Sequence, residues 1–308
     1  MLEKLAAHAL PHSRYEPWTD TLGLARTVMA LGSLSTLLCN PPEYVFRLGT
    51  GIASPMRCAG LEGKIGLFCI GGVHNLRTTW WIAAIVLLLV ASGWRPRITA
   101  IPHWWVASSL FSSGVVVDGG DQVAAVITLL LIPFCLTDSR NWHWSAATEA
   151  SPRRRVVAQI SSMAVKFQVA VIYAHAFIGK LAVPEWMDGT AMYYWLHNPD
   201  LGLPRYLQGL TWIVDSSLVV LVTWSVLILE LSLASALFSP AEWRRLLFIP
   251  ALVFHAGIAV FMGVSSFAII MIGVLLLYLP KPGEMLSDLV SLKGADRFVS
   301  YNQTPKTV

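Results

Sequence analysis

Apolar residues fall in eight long runs, which are separated by short polar segments. A helix needs about 20 residues to cross a hydrocarbon core, and flanking aromatic residues can complete a shorter run. Because a backbone in lipid must satisfy its own hydrogen bonds, and no run alternates as in a membrane β-barrel, the runs predict helices. The predicted spans are Thr21–Cys39, Thr78–Trp94, Ile101–Val117, Asp121–Thr137, Val156–Leu181, Trp212–Phe238, Leu246–Met262 and Val264–Pro280.

The composition agrees with a membrane protein, because 55% of the 308 residues are hydrophobic and only 13% are charged. So few charged residues leave too little polar surface for a water-soluble globule of this size. The predicted fold is therefore an all-α, polytopic transmembrane helical bundle of about eight spans over residues 21–280. A short interfacial helix is expected beside it.

The basic residues predict the orientation. They concentrate at 95–97, 140–155 and 244–245 and in the tail 281–308, whereas the connections at 118–120 and at 263 contain no Lys or Arg. The positive-inside rule then places segment 1–20 and the tail in the cytoplasm and the long loop 40–77 outside. The formal net charge of +4 thus reflects topology. Spread over separate loops, it does not indicate nucleic-acid binding.

Two of the four cysteines, Cys58 and Cys69, lie in the predicted outer loop, where a disulfide can persist. A bridge would staple a loop rich in Gly and Pro. The alternative is a pair of free cysteines on a short re-entrant helix near Ile65–Ile70.

Three ionisable residues fall within predicted spans, where an uncompensated charge is costly. Counted from the cytoplasmic ends of their helices, Lys166, Glu230 and His255 reach similar depths. We expect a Lys166–Glu230 pair with His255 nearby. A structural role is favoured over a proton relay.

A second polar set lies near the predicted outer surface. Lys166, Tyr173 and Lys180 recur every seven residues and share one helical face, whereas Gln168 and His175 lie on the opposite face. The fifth helix therefore has two polar stripes, which indicates that other helices or a cavity surround most of it.

Beyond this helix, segment 184–190 contains helix-breaking and capping residues, and Ala191–His197 is predicted to form an aromatic interfacial helix. Asp215 is a candidate partner for Lys180. We expect a substrate pocket open to the outer side, and its predicted lining is Lys180, Tyr173, Trp186, Asp215, Tyr193 and Tyr194. The alternative is that these residues are ordinary interface anchors.

The stretch Ile172–Leu196, with Gly179-Lys180-Leu181 and Trp186, resembles the HTTM superfamily, which includes vitamin K-dependent γ-glutamyl carboxylase. Phe254-His255 resembles the histidine-bearing segment of those carboxylases. Within the superfamily the chain is most similar to the SdpB family of sporulation-delaying-protein type. That likeness is carried by Gly23-Leu24-Ala25-Arg26, Ala91–Arg97, Ile101–Trp105, Asp118–Gln122 and Thr137–Arg140.

The resemblance implies two chemistries. Members of the SdpB type mature a secreted antimicrobial peptide toxin, and they work with a small SdpA-like partner on an SdpC-like precursor. The carboxylases use a lysine base on a quinone-like, lipid-soluble cofactor. That implies Lys180 as the base, with His175 and His255 as further candidate catalytic residues.

Three functions remain open from the sequence. The first is a membrane maturation factor for an exported peptide toxin, placed in the bacterial cytoplasmic membrane. The second is a self-contained carboxylase-like or quinone-dependent redox enzyme. The third is an immunity protein, receptor or transporter, although no inverted repeat supports a transporter. No metal site is predicted.

Overall fold

A computed structural model describes residues 16–48, 54–146 and 150–287, apart from the side chains of Leu61 and Glu62. Most of the predicted N-terminal segment 1–20 and of the tail 281–308 lies outside the described residues. Within the described ranges every regular element is a helix, and the sole β-type pairing is an isolated bridge between Trp94 and Trp142. The predicted all-α class is confirmed.

In the described residues eight long helices form the bundle, and each overlaps one predicted span. They are α1 (Asp20–Cys39), α2 (Leu76–Ser92), α3 (Pro96–Ser113), α4 (Gly119–Thr137), α5 (Pro152–Leu181), α6 (Leu218–Ser235), α7 (Ala241–Met262) and α8 (Ser265–Tyr278). Shorter α-helices lie in the connections at Pro42–Val45, Gly60–Ile65, Leu67–Gly71, Pro184–Met187, Ala191–Leu196 and Thr211–Val214. Short 3₁₀ segments lie at Val73–Asn75, Arg205–Leu210 and Ala236–Phe238.

In the described part of the chain, six helices are long and apolar enough to cross a membrane, namely α1, α2, α4, α5, α6 and α7. The other two depart from that pattern for different reasons. Helix α3 has 18 residues but contains His103 and four serines, whereas α8 is strongly apolar but has only 14 residues, which span about 21 Å.

The first and last described segments meet at one end of the bundle. The hydroxyl of Thr21 donates to the carbonyl of Glu284 at 2.8 Å, and the amide of Leu286 donates to the Asp20 carboxylate at 2.9 Å. We call this end the termini side. The opposite end, which holds Cys58 and Cys69, is the disulfide side.

The centre of the bundle is the contact between α1 and α8, which is the most extensive helix pairing in the described chain. Small residues permit it: a Cβ atom on Gly32 would lie 2.5 Å from Cγ1 and 3.0 Å from the backbone nitrogen of Ile270. Close backbone approach through small residues is a common way in which helices associate in membranes.

A disulfide joins Cys58 and Cys69, with a Cα–Cα distance of 5.8 Å, so the predicted bridge is confirmed. The loop that it staples is also anchored to α3. The amide of Arg57 donates to the carbonyl of Ser113, and the amide of Leu67 donates to the hydroxyl of Ser109, both at 2.9 Å. Residues of this loop pack over a second apolar core, which lies between α1, α2 and α3.

Candidate functional site

Helix α5 ends inside the bundle. Its 30 residues span about 45 Å, more than a hydrocarbon core of about 30 Å requires. Yet Lys180, one residue before its end, meets Glu230, and the stretch of α6 from Leu218 down to Glu230 is about 18 Å long. The excess length of α5 therefore projects at the termini side, and its other end stops well below the start of α6.

The chain beyond α5 fills the space above it. The short helices Pro184–Met187 and Ala191–Leu196 pack along α6, where the amide of Met192 donates to the hydroxyl of Thr223 at 3.2 Å. Gly189 joins the two helices with a φ of 88°, and a Cβ there would lie 2.8 Å from Val220. Only glycine readily combines that backbone conformation with such a close approach.

An ion pair lies at the end of α5. Nζ of Lys180 lies 2.7 Å from Oε1 of Glu230, with side-chain exposures of 23% and 6%. The ammonium also lies 5.2 Å from the centre of the Trp186 ring, which supplies a cation–π contact. The second carboxylate oxygen of Glu230 is buried and has no hydrogen-bond partner in the described structure.

Trp186 borders both the ion pair and an open cavity. Its ring is almost fully buried and packs with Ala191, Val226 and Leu227. Trp186 also lines a cavity of about 200 Å³, whose lining is Val183, Glu185, Trp186, Ala191, Tyr194 and Trp195. Aromatic rings with a few polar groups are the usual lining of a small-molecule or peptide-side-chain pocket.

A second polar pair lies deeper along the same face of α5. The hydroxyl of Tyr173 is 2.9 Å from Nε2 of His255, and both residues are almost fully buried. His255 and Ala251 are the only fully buried residues of α7, whose other residues are partly buried or exposed. The ring of His255 packs against Phe254 and Phe267. Its Nδ1 is buried without a partner in the described residues.

Two predicted ion pairs are wrong. Glu230 pairs with Lys180 and not with Lys166. The Lys166 side chain instead lies close enough to Arg244 for the two basic groups to repel each other. The expected depth of Lys166 rests on a span that starts at Val156, whereas α5 starts at Pro152 and it is the Lys180 end of this helix that reaches Glu230. Asp215 does not meet Lys180 either, because its carboxylate is 3.3 Å from Nε2 of His197.

The remaining predicted site residues are dispersed. His175 is exposed on the opposite face of α5, as the helical spacing predicts, and so lies away from the ion pair. Tyr194 lines the cavity, whereas Tyr193 packs against the ring of His197 outside it. The structure thus brings Lys180, Tyr173, Trp186, His255 and Glu230 to one face of α5.

The ion pair and the tyrosine–histidine pair can do different chemistry. A carboxylate beside an ammonium offers a hydrogen-bond acceptor and a donor at one place, which suits binding of a peptide terminus or a polar backbone group. A tyrosine hydrogen-bonded to an imidazole can exchange a proton with it. In the described residues no group of His, Cys, Asp and Glu is arranged to hold a metal ion.

The family model described as the HTTM domain matches residues 123–282. That range includes Lys180, Trp186, Glu230 and His255. Sporulation-delaying protein SdpB of Bacillus subtilis is 34% identical over 271 residues, which cover 86% of this chain and 82% of that protein. The chain belongs to the SdpB family of HTTM-domain membrane proteins.

A second relative extends the same likeness. Uncharacterized protein YitO of Bacillus subtilis is 42% identical over 284 residues, which cover 91% of each chain. No solved structure matches the chain. The family membership therefore rests on sequence, and the helical bundle described above is consistent with it.

Proposed function

We propose that this protein is a maturation factor for a secreted antimicrobial peptide toxin. It acts from the bacterial cytoplasmic membrane, with both termini in the cytoplasm and the disulfide side facing outward. Its partners are a small SdpA-like protein and an SdpC-like precursor. The family likeness to a protein named for delaying sporulation supports the toxin system.

The observation that carries the site assignment is the largely buried Lys180–Glu230 pair, whose lysine lies against the Trp186 ring. A charged pair inside a membrane bundle is costly and usually has a functional or pairing role. Here the ammonium keeps 23% of its surface, and the neighbouring cavity of about 200 Å³ has room for a side chain of an extended peptide. The pair would anchor the precursor while the cavity holds an adjacent apolar residue.

The direct test is co-expression with an SdpC-like precursor and an SdpA-like partner, followed by mass spectrometry of the secreted product. We expect the mature mass only when this protein and its small partner are present. A mature product in cells that lack this protein would contradict the proposal.

The Lys180–Glu230 pair permits a sharper test. Lys180→Arg keeps the charge and the pairing geometry, whereas the exchange Lys180→Glu/Glu230→Lys keeps the pair but reverses its direction. If the pair binds substrate, the exchange should abolish maturation while the protein still reaches the membrane. Full maturation by the exchanged pair would mean that it only holds the helices together.

The carboxylase-like alternative has one supporting observation, namely that Lys180 lies next to an aromatic cavity large enough for part of a ring system. In this structure, however, Nζ of Lys180 lies 2.7 Å from the Glu230 carboxylate, whereas a general base needs a free nitrogen lone pair to accept a proton. A quinone found by mass spectrometry in the purified protein would favour this alternative. Loss of activity in Lys180→Arg would favour it too, because Arg does not readily give up its proton.

A further inference from the structure

A second buried cluster lies at the termini side, remote in the chain from Lys180. Arg26, in the second turn of α1, is only 4% exposed. Its Nη2 donates to the hydroxyl of Thr99 at 2.8 Å. Its Nη1 is buried without a hydrogen-bond partner, and no ion pair joins it to any carboxylate in the described residues.

The one carboxylate in this cluster is already neutralised. Asp138 binds Arg140, with Nη2 2.8 Å from Oδ2 and Nε 3.0 Å from Oδ1, and both side chains are 3% exposed. Arg140 also donates to the carbonyls of His143 and Ser145. The charges of Asp138 and Arg140 therefore cancel, and the positive charge of Arg26 remains unbalanced.

The histidine beside this cluster is neutral. Burial, followed by the charges of Arg26 and Arg140, lowers the pKa of His143 to about 3. The imidazole is 3.2 Å from the hydroxyl of Thr27, which itself donates to the carbonyl of Ala91 at 2.7 Å. The cluster thus carries a net charge of +1 that no described side chain balances.

A small cavity lies against these charges. Its volume is about 20 Å³, and its polar lining is Arg26, Asp138, Arg140 and His143. The rest of the lining is mostly apolar, including Leu131, Phe134 and Leu277. About 10–15 Å³ of such volume accommodates one water molecule, so there is room for a single monatomic ion but not for a phosphate or lipid headgroup.

We propose that this cavity binds one small monovalent anion of halide size, beside the guanidinium of Arg26, which lines it. A guanidinium buried without a counter-charge is strongly destabilising, and an anion removes that penalty more fully than a neutral water does. The net charge of +1 matches one such ion. The site is separate from the Lys180–Glu230 pair and does not depend on the proposed function.

The test uses the purified full-length protein in detergent. Thermal unfolding is followed in sodium chloride and in sodium gluconate at equal ionic strength, since gluconate is too large for the cavity. We expect chloride to raise the midpoint by about 2–4 °C in a saturable manner. Arg26→Gln should lose this dependence, and Arg77→Gln, which removes an exposed arginine at the disulfide side, should keep it.

Crystals grown in sodium bromide give an independent readout that needs no variant, should Arg26→Gln fail to fold. An anomalous bromide peak in this cavity, beside the guanidinium of Arg26, would support the site. A water in that position, together with equal midpoints in the two salts, would overturn the proposal. A chloride effect that persists in Arg26→Gln would also overturn it, because the anion would then bind elsewhere.

Discussion

Removing either partner of the Lys180–Glu230 pair should destabilise the protein by unequal amounts. Lys180→Met leaves the Glu230 carboxylate, whose side chain is 6% exposed, without its counter-charge. Glu230→Gln leaves an ammonium that is 23% exposed and can turn toward solvent. Because the penalty of an unpaired charge grows with burial, the lysine substitution should be the more harmful one.

The expected magnitudes follow from that burial. Breaking a buried pair by removing one partner costs about 3–5 kcal/mol. We expect about 3 kcal/mol for Lys180→Met and about 2 kcal/mol for Glu230→Gln, the smaller value reflecting partial solvation of the remaining ammonium. The double variant leaves no unpaired charge, so it should lose at least about 1 kcal/mol less than the sum of the single losses.

Thermal unfolding in detergent, followed by the fluorescence of the 13 tryptophans, measures all four proteins of this double-mutant cycle. A loss of 3 kcal/mol corresponds to a fall in midpoint of about 6–12 °C. Lys281→Met, which breaks an exposed pair with Glu242, is the control and should change stability by less than about 1 kcal/mol. Losses that add within about 0.5 kcal/mol would refute the coupling.

Three further predictions concern other parts of the bundle. Reduction of the Cys58–Cys69 bridge should destabilise its loop by about 3 kcal/mol, seen as faster proteolysis, while an unchanged cleavage rate would count against this. Gly32→Ala should cost about 1–3 kcal/mol through overpacking against α8, whereas Gly179→Ala, with open space at the Cβ position, should be neutral or stabilising in the same unfolding assay. Because the folded-state pKa of His143 is depressed to about 3, its contribution to stability should be present above pH 6.5 and decline as the pH falls toward 3. His143→Gln should flatten that part of the stability–pH curve, and an unaltered slope would exclude His143 as its origin.

The helices and the disulfide were predictable from the sequence, because both depend on local signals. Apolar runs of sufficient length fix where helices form in lipid. Cys58 and Cys69 both fall in a loop with few other constraints. The seven-residue spacing of Tyr173 and Lys180 also predicted correctly that they share a face of α5, since that spacing follows from helical geometry alone.

The partner of Glu230 was not predictable, because it depends on where the end of α5 lies along the length of α6. The apolar run that ends at Leu181 does not show where along α6 the end of α5 lies, and only the structure places Lys180 at Glu230, about 18 Å along α6. The burial of the Arg26 charge was not predictable for a different reason. Arg26 is close to the polar start of α1, where an arginine is ordinarily solvated, and only the structure shows that it is 4% exposed.

The contact between α1 and α8 has a consequence for biosynthesis. Helix α1 leaves the ribosome first, but the surface that Gly32 presents is completed only when α8 follows, more than two hundred residues later. At a synthesis rate of about 5–20 residues per second, α1 waits for about 10–50 s in the membrane without its principal neighbour. During that interval its bare glycine-containing face is open to insertion chaperones and to other nascent helices. The last long helix of the described residues is therefore the one that completes the packing of the first.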